Sequence, residues 1–155
     1  MNTNNFTIKS QEAIQKAQEI AAAFQHQAIE NVHILKAITS VDDNVAPFLF
    51  KKLNANPERI GQRADEILRS LPRVSGGEQY LGNDARNTLV KANGFLKDFH
   101  DEFVAIEHIL LAMLQASDRT AAMLKEEGLN QKDLKAAIKQ LRQGSSVKSQ
   151  TAEDT

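Results

Sequence analysis

The chain has 155 residues, of which 41% are hydrophobic and 25% charged, so it can bury a core and is too apolar for global disorder. A formal net charge of −1 excludes any general attraction to nucleic acid or to an anionic membrane, and neither is an expected partner. Cysteine is absent, which excludes disulfides, thiolate metal sites and cysteine nucleophiles, and suits a reducing cytoplasm, the expected location.

The opening residues "MNTNNFTIKSQ" contain no apolar segment of signal-peptide type, and no apolar run approaches the ~20 residues that span a bilayer. Helical spacing begins at once. Ile14, Ala17, Ile20, Ala21 and Phe24 form one stripe, with Thr7 as the expected N-cap. "VHILKAITS" is a second helix, and a third runs near Val45 to Leu53, closed by Asn54 in the left-handed conformation. The fourth starts with Asn56 as N-cap and Pro57 at the first helical position, and carries Ile60, Ala64, Ile67 and Leu68. "LPRVSGGEQYLGND" then breaks the pattern as a connector, in which "PRVSG" is either loop or extended. Four helices follow in the same order: a long one with Leu89, Ala92, Leu96 and Phe99; "EHILLAML"; "TAAMLKEEG", closed by Gly128; and "NQKDLKAAIKQL", capped by Asn130. The polar end "RQGSSVKSQTAEDT" reads as a flexible tail or linker. The expected fold is all-α, with eight helices and no sheet.

The second half restates the first. At an offset of 75, Thr7–Lys52 and Gly82–Glu127 share ten of 46 positions, among them His33/His108, Ile34/Ile109, Leu35/Leu110 and Ala37/Ala112. Random pairing would give roughly three. Past that point the offset is 74, so Asn54 faces Gly128 and Ile67 faces Leu141. Two pseudo-two-fold-related four-helix repeats are expected in one domain over 1–144. Repeat one spans 6–70, the connector 71–82 and repeat two 83–144, with a flexible linker over 145–155.

His33 and His108 recur near helix starts, but no HExxH or Glu-x-x-His pair supplies the further ligands a metal needs. They are read as structural, hydrogen-bonding or packing at the repeat interface, with no metal expected; His26 and His100 are read as solvated loop residues. No Gly-rich phosphate loop or G-x-S-x-G elbow is present, and no catalytic residue is assigned. The acids Asp101, Glu102 and Glu107 suit a helix N-terminus. The remaining class is binding at the seam between repeats, where Ile8, Val90 and Phe103 lie off the main stripes as a groove lining.

"FTIKSQEAIQKA", the doubled "HIL" helix, "DEFVAIEHILLAML" and "LPRVSGGE" resemble the Clp N-terminal repeat domain, and the connector and tail resemble its ClpB type, over essentially the whole chain. The resemblance implies a non-catalytic domain above an ATP-driven AAA+ ring. It would capture unfolded or aggregated polypeptide for threading, in collaboration with the DnaK system. It implies a homohexameric parent whose other modules bind ATP and magnesium; this chain needs no cofactor and is expected to be a monomer in isolation. Matched by type, Thr7, Asp101 and Glu107 are implied in substrate handling. The alternative is an adaptor-docking domain of a ClpA/ClpC-like unfoldase. The ClpC type carries a Glu-His pair in both repeats, whereas here Val32-His33 stands opposite Glu107-His108, so a symmetric phosphoarginine reader is not expected.

Overall fold

The computed structural model describes residues 2–154. Among the described residues there are eight α-helices: α1 (Ile8–Ala23), α2 (Asn31–Val41), α3 (Val45–Lys52), α4 (Pro57–Ser70), α5 (Asn83–Ala92), α6 (Ile106–Met113), α7 (Arg119–Glu126) and α8 (Gln131–Arg142). Their ends follow local chemistry. Thr7, Asn56, Asp118 and Asn130 accept first-turn N–H groups of α1, α4, α7 and α8, and Asn54 (φ 59°) and Gly128 (φ 110°) close α3 and α7 in the left-handed region.

The helices written twice form the centre. In α6 all eight residues are buried; in α2, Val32, His33, Ile34, Leu35, Ala37 and Ile38 are. Helices this rich in apolar residues are enclosed, and the polar Glu107, His108 and His33 within them are buried with hydrogen-bond partners. Around this pair, α1 packs on α2 and α5 on α6. The buried line of α1 is Ser10, Ala13, Ala17 and Ala21, while Ile14, Ile20 and Phe24 sit at its half-buried flanks. Short side chains let the two axes approach closely.

The outer helices cross between repeats: α3 packs on α8 and α4 on α7. Polar contacts cross as well. Asn31 Nδ2 donates to the capping carboxylate Asp118 at 2.9 Å, and Arg59 and Arg63 of α4 both pair with Glu127.

Three expectations change. The long helix through Phe99 stops at Ala92 and continues as a 3-10 helix, Asn93–Phe99. Asn93 and Gly94 are weak helix formers, and they stand opposite Gln18 and Glu19, where α1 runs on. Extended pairing also exists. β1 (Ala28–Ile29) pairs in parallel with β2 (Tyr80–Leu81), and an isolated bridge joins Phe6 to Val104. The two pairings are related by the same offset of 75, and each joins one repeat to the other. Spans of one or two residues are too short to show period-two alternation in sequence.

Third, the stretch 145–155, expected as a flexible linker, is packed through Glu153. Val147 is 5% exposed, and the N–H of Ile8 donates to the Gln150 carbonyl at 2.8 Å. Its polar composition concealed this because the hold is by hydrogen bonds, from the main chain of Val147 and Gln150 and the side chains of Ser146, Gln150 and Glu153, with Val147 as the apolar contact.

Gly82 shows how tightly the repeats meet. Its N–H donates to the Ile29 carbonyl at 2.9 Å, and a Cβ there would lie 3.0 Å from that oxygen and 2.1 Å from Glu30 Oε1. Glu30 can swing aside; the carbonyl cannot. Gly82→Ala is expected to cost about 1–2 kcal/mol in a urea unfolding curve, and a stability equal to the parent's would refute the close approach.

Candidate functional site

Asp101, Glu107 and Thr7 converge at the start of α6. His108, at the third position of α6, fixes the arrangement. Its Nδ1 accepts the Ala105 N–H at 2.8 Å, so the proton sits on Nε2, which donates to Asp101 Oδ2 at 2.6 Å. Arg142, at the end of α8, grips Asp101 with both Nη atoms at 2.7 and 2.8 Å and reaches Glu107 Oε2 through Nε at 3.0 Å. The Val147 N–H adds a further bond to Asp101 Oδ1 at 2.8 Å. Burial alone would raise the Asp101 carboxyl. The bonds from His108, Arg142 and Val147, with the Arg142 charge, outweigh it and hold the group at about 2. A carboxylate so saturated is an anchor and does not accept protons near neutral pH.

Thr7 is fully buried, Glu107 is 2% exposed and Asp101 9%. The Thr7 oxygen accepts the Ser10 N–H at 3.1 Å, and the hydroxyl is shared between the Ser10 side chain and the Glu153 carboxyl. These three residues are therefore brought together, but beneath the 146–153 segment and not on an open surface.

The first repeat builds the same frame from different groups. His33 Nδ1 accepts the Glu30 N–H at 2.8 Å, as His108 does from Ala105. Its Nε2–H then donates to His26 Nδ1 at 2.9 Å. His26 stands opposite Asp101, Val32 opposite Glu107 and Leu68 opposite Arg142. Acid, acid and arginine are all replaced in one copy, which leaves no unpaired charge. His26, expected in solvent, is 5% exposed; it lies in the turn between α1 and β1, outside any helical stripe that would have marked it as buried. His100 is exposed and turns the chain at φ 56°. Both structural histidines, His33 and His108, pair within their own repeat. Among the described residues no group of three His, Cys, Asp or Glu side chains is placed to hold a metal ion.

The apolar trio separates by exposure: Ile8 is 37% and Val90 56% exposed, and Phe103 is half-buried. None of them lines the cavity at the seam, which measures ≈ 390 Å³ and is walled by Ile14, Ile29, Ile34, Tyr80, Leu81 and Leu89. Sequence reasoning missed this cavity. Its one legible trace was Ile14/Leu89, a pair at matched repeat positions. Tyr80, 55% exposed, stands at its mouth. No helix among the described residues is long and apolar enough to cross a membrane.

With this geometry in hand, comparison with known proteins is specific. The family model described as the Clp repeat (R) N-terminal domain matches residues 5–127. The chain is 46% identical over 154 residues to "Chaperone protein ClpB" of Bacteroides thetaiotaomicron, covering 99% of this chain and 18% of that protein. It is 40% identical over 154 residues to the ClpB of Porphyromonas gingivalis, with the same coverage. The chain thus spans about a fifth of the length of these relatives. Among solved structures, the Hsp104 N-terminal domain from Candida albicans superposes with a TM-score of 0.80 at 23% identity, covering 96% of this chain and 99% of that one, a likeness of fold.

Proposed function

The chain belongs to the Clp repeat N-terminal domain family, and from that premise we propose that it is the non-catalytic, polypeptide-binding N-terminal part of a ClpB-like disaggregase. The observation that carries this is the 46% identity to a ClpB over 154 residues, from one end of the chain to the other. In this reading the domain captures unfolded or aggregated polypeptide and presents it for threading, in the cytoplasm and together with the DnaK system. The parent is a homohexameric AAA+ ATPase whose other modules use ATP and magnesium. Weak binding by each copy becomes effective when six copies surround one client. Exposed Ile8, Val90 and Tyr80 and the seam cavity supply the apolar surface such capture needs.

The test is a titration of the ¹⁵N-labelled chain with a permanently unfolded protein. Amide shifts are expected at Ile8, Val90, Phe103 and the seam cavity, and the pair Ile8→Asp and Val90→Asp is expected to weaken binding at least fivefold. Shifts confined to α3 and α7, or none, would remove the reading.

A further inference from the structure

Residues 146–153 lie on the domain as a bound peptide would. Ser146 Oγ donates to the Phe99 carbonyl at 3.1 Å. The Val147 N–H goes to Asp101 at 2.8 Å, its carbonyl accepts the Glu102 N–H at 2.8 Å, and its side chain is buried. The Gln150 carbonyl accepts the Ile8 N–H at 2.8 Å, and its side-chain amide donates to the Asn4 carbonyl at 2.8 Å. Glu153 Oε2 takes the Ile106 N–H at 3.4 Å, in the first turn of α6. The segment is irregular over 145–148, then turns and ends in a short 3-10 helix, Ala152–Asp154. Main-chain groups of Val147 and Gln150 held by the domain, one apolar side chain in a pocket and a carboxyl at a helix start are means by which a short peptide is recognised.

The hold contains a built-in weakness. Glu107 Oε1 and Glu153 Oε1 are both buried without a hydrogen-bond partner. Burial first, and then the charge of Glu107, push the Glu153 carboxyl up to about 7, against the bonds from Thr7 and Ile106 and the charge of Lys9. A segment held partly at a cost can exchange.

We propose that the surface formed by Asn4, Ile8, Phe99, Asp101, Glu102 and Ile106 is a binding site for a short peptide segment that turns after its apolar anchor, and that residues 146–153 are its exchangeable internal occupant. The occupant it fits carries a small β-branched apolar residue and, six positions on, an acid. Thr7, Asp101 and Glu107 become accessible only when the internal segment leaves. That outside clients use the same surface rests on the proposed function; the exchange of the internal segment does not.

The test uses the full chain carrying Val147→Asp, a charge that the buried pocket rejects, beside the unchanged chain. Each is titrated with a labelled synthetic peptide of residues 145–154. The variant is expected to bind the peptide at least tenfold more tightly, because its own segment no longer competes. Hydrogen exchange at the Ile8 and Glu102 amides is expected to quicken in the variant and to slow again when peptide is added. If V147D lowers helicity, Val147→Gly empties the pocket without burying a charge, and at least a threefold gain is expected. Equal peptide affinity for variant and parent, or no restored protection at Ile8 and Glu102, overturns the proposal. An unfolded client that binds neither chain while the peptide behaves as expected removes client capture and leaves the internal exchange standing.

Discussion

Replacing Arg142 with leucine is expected to destabilise the domain by about 3–5 kcal/mol, the usual cost of removing one partner of a buried ion pair. In thermal unfolding this is a fall of roughly 10 °C. The reason is the company Arg142 keeps. Its side chain is 9% exposed, that of Asp101 fully buried and that of Glu107 3% exposed. Without the guanidinium two carboxylates remain in a dry site. The first repeat shows how the same frame stands without the charges, with His26, Val32 and Leu68 at the matched positions. Asp101→His and Glu107→Val added to Arg142→Leu are therefore expected to recover more than half of the loss. A single variant within about 1 kcal/mol of the parent, or a triple variant less stable than the single, would show that the network is not what holds this corner.

Lowering the pH from 6.5 to 4 is expected to cost up to about 3 kcal/mol through His33. Burial first, then the neighbouring His26, push its imidazole down to about 4, and His26 is lowered too, by burial and by Arg73. In the unfolded chain His33 takes its proton near 6.5; in the folded chain it waits until about 4. Between those values the unfolded state binds more protons, so stability falls as the pH falls, and above 6.5 the histidine has no effect. Urea unfolding at several pH values across this window measures the slope. The double variant His26→Leu with His33→Leu is expected to flatten it. That comparison isolates the histidines from Glu30 and Glu153, whose raised carboxyls act in the opposite sense. Parallel slopes for parent and variant would sink the assignment.

The helices were legible because each is set by neighbours in sequence. Asn56-Pro57, Asn130 and Gly128 mark ends by local backbone chemistry, and Ile60, Ala64, Ile67 and Leu68 mark a buried face by spacing. The duplicated "HIL" helix was legible as a repeat; that its two copies form the centre of the core was seen only in the fold. The site was legible only in its residue types. Nothing in the order of Asp101, Glu107 and Thr7 told that they would be buried together.

By itself, then, the amino-acid sequence determined the order of the eight α-helices, most of their caps, the repeat and, through its resemblance to Clp N-terminal repeat domains, the family. Those depend on local backbone preferences and on periodicity, which act over a few residues. Only the tertiary structure decided that α3 lies on α8 and α4 on α7, that Arg142 closes over Asp101 and Glu107, and that the polar segment 146–153 is docked on the domain. Those depend on contacts between residues far apart in the chain, such as Glu107 with Arg142 and Ile8 with Gln150. Burial, desolvation and pairing arise there from proximity in space, and linear spacing carries no record of it.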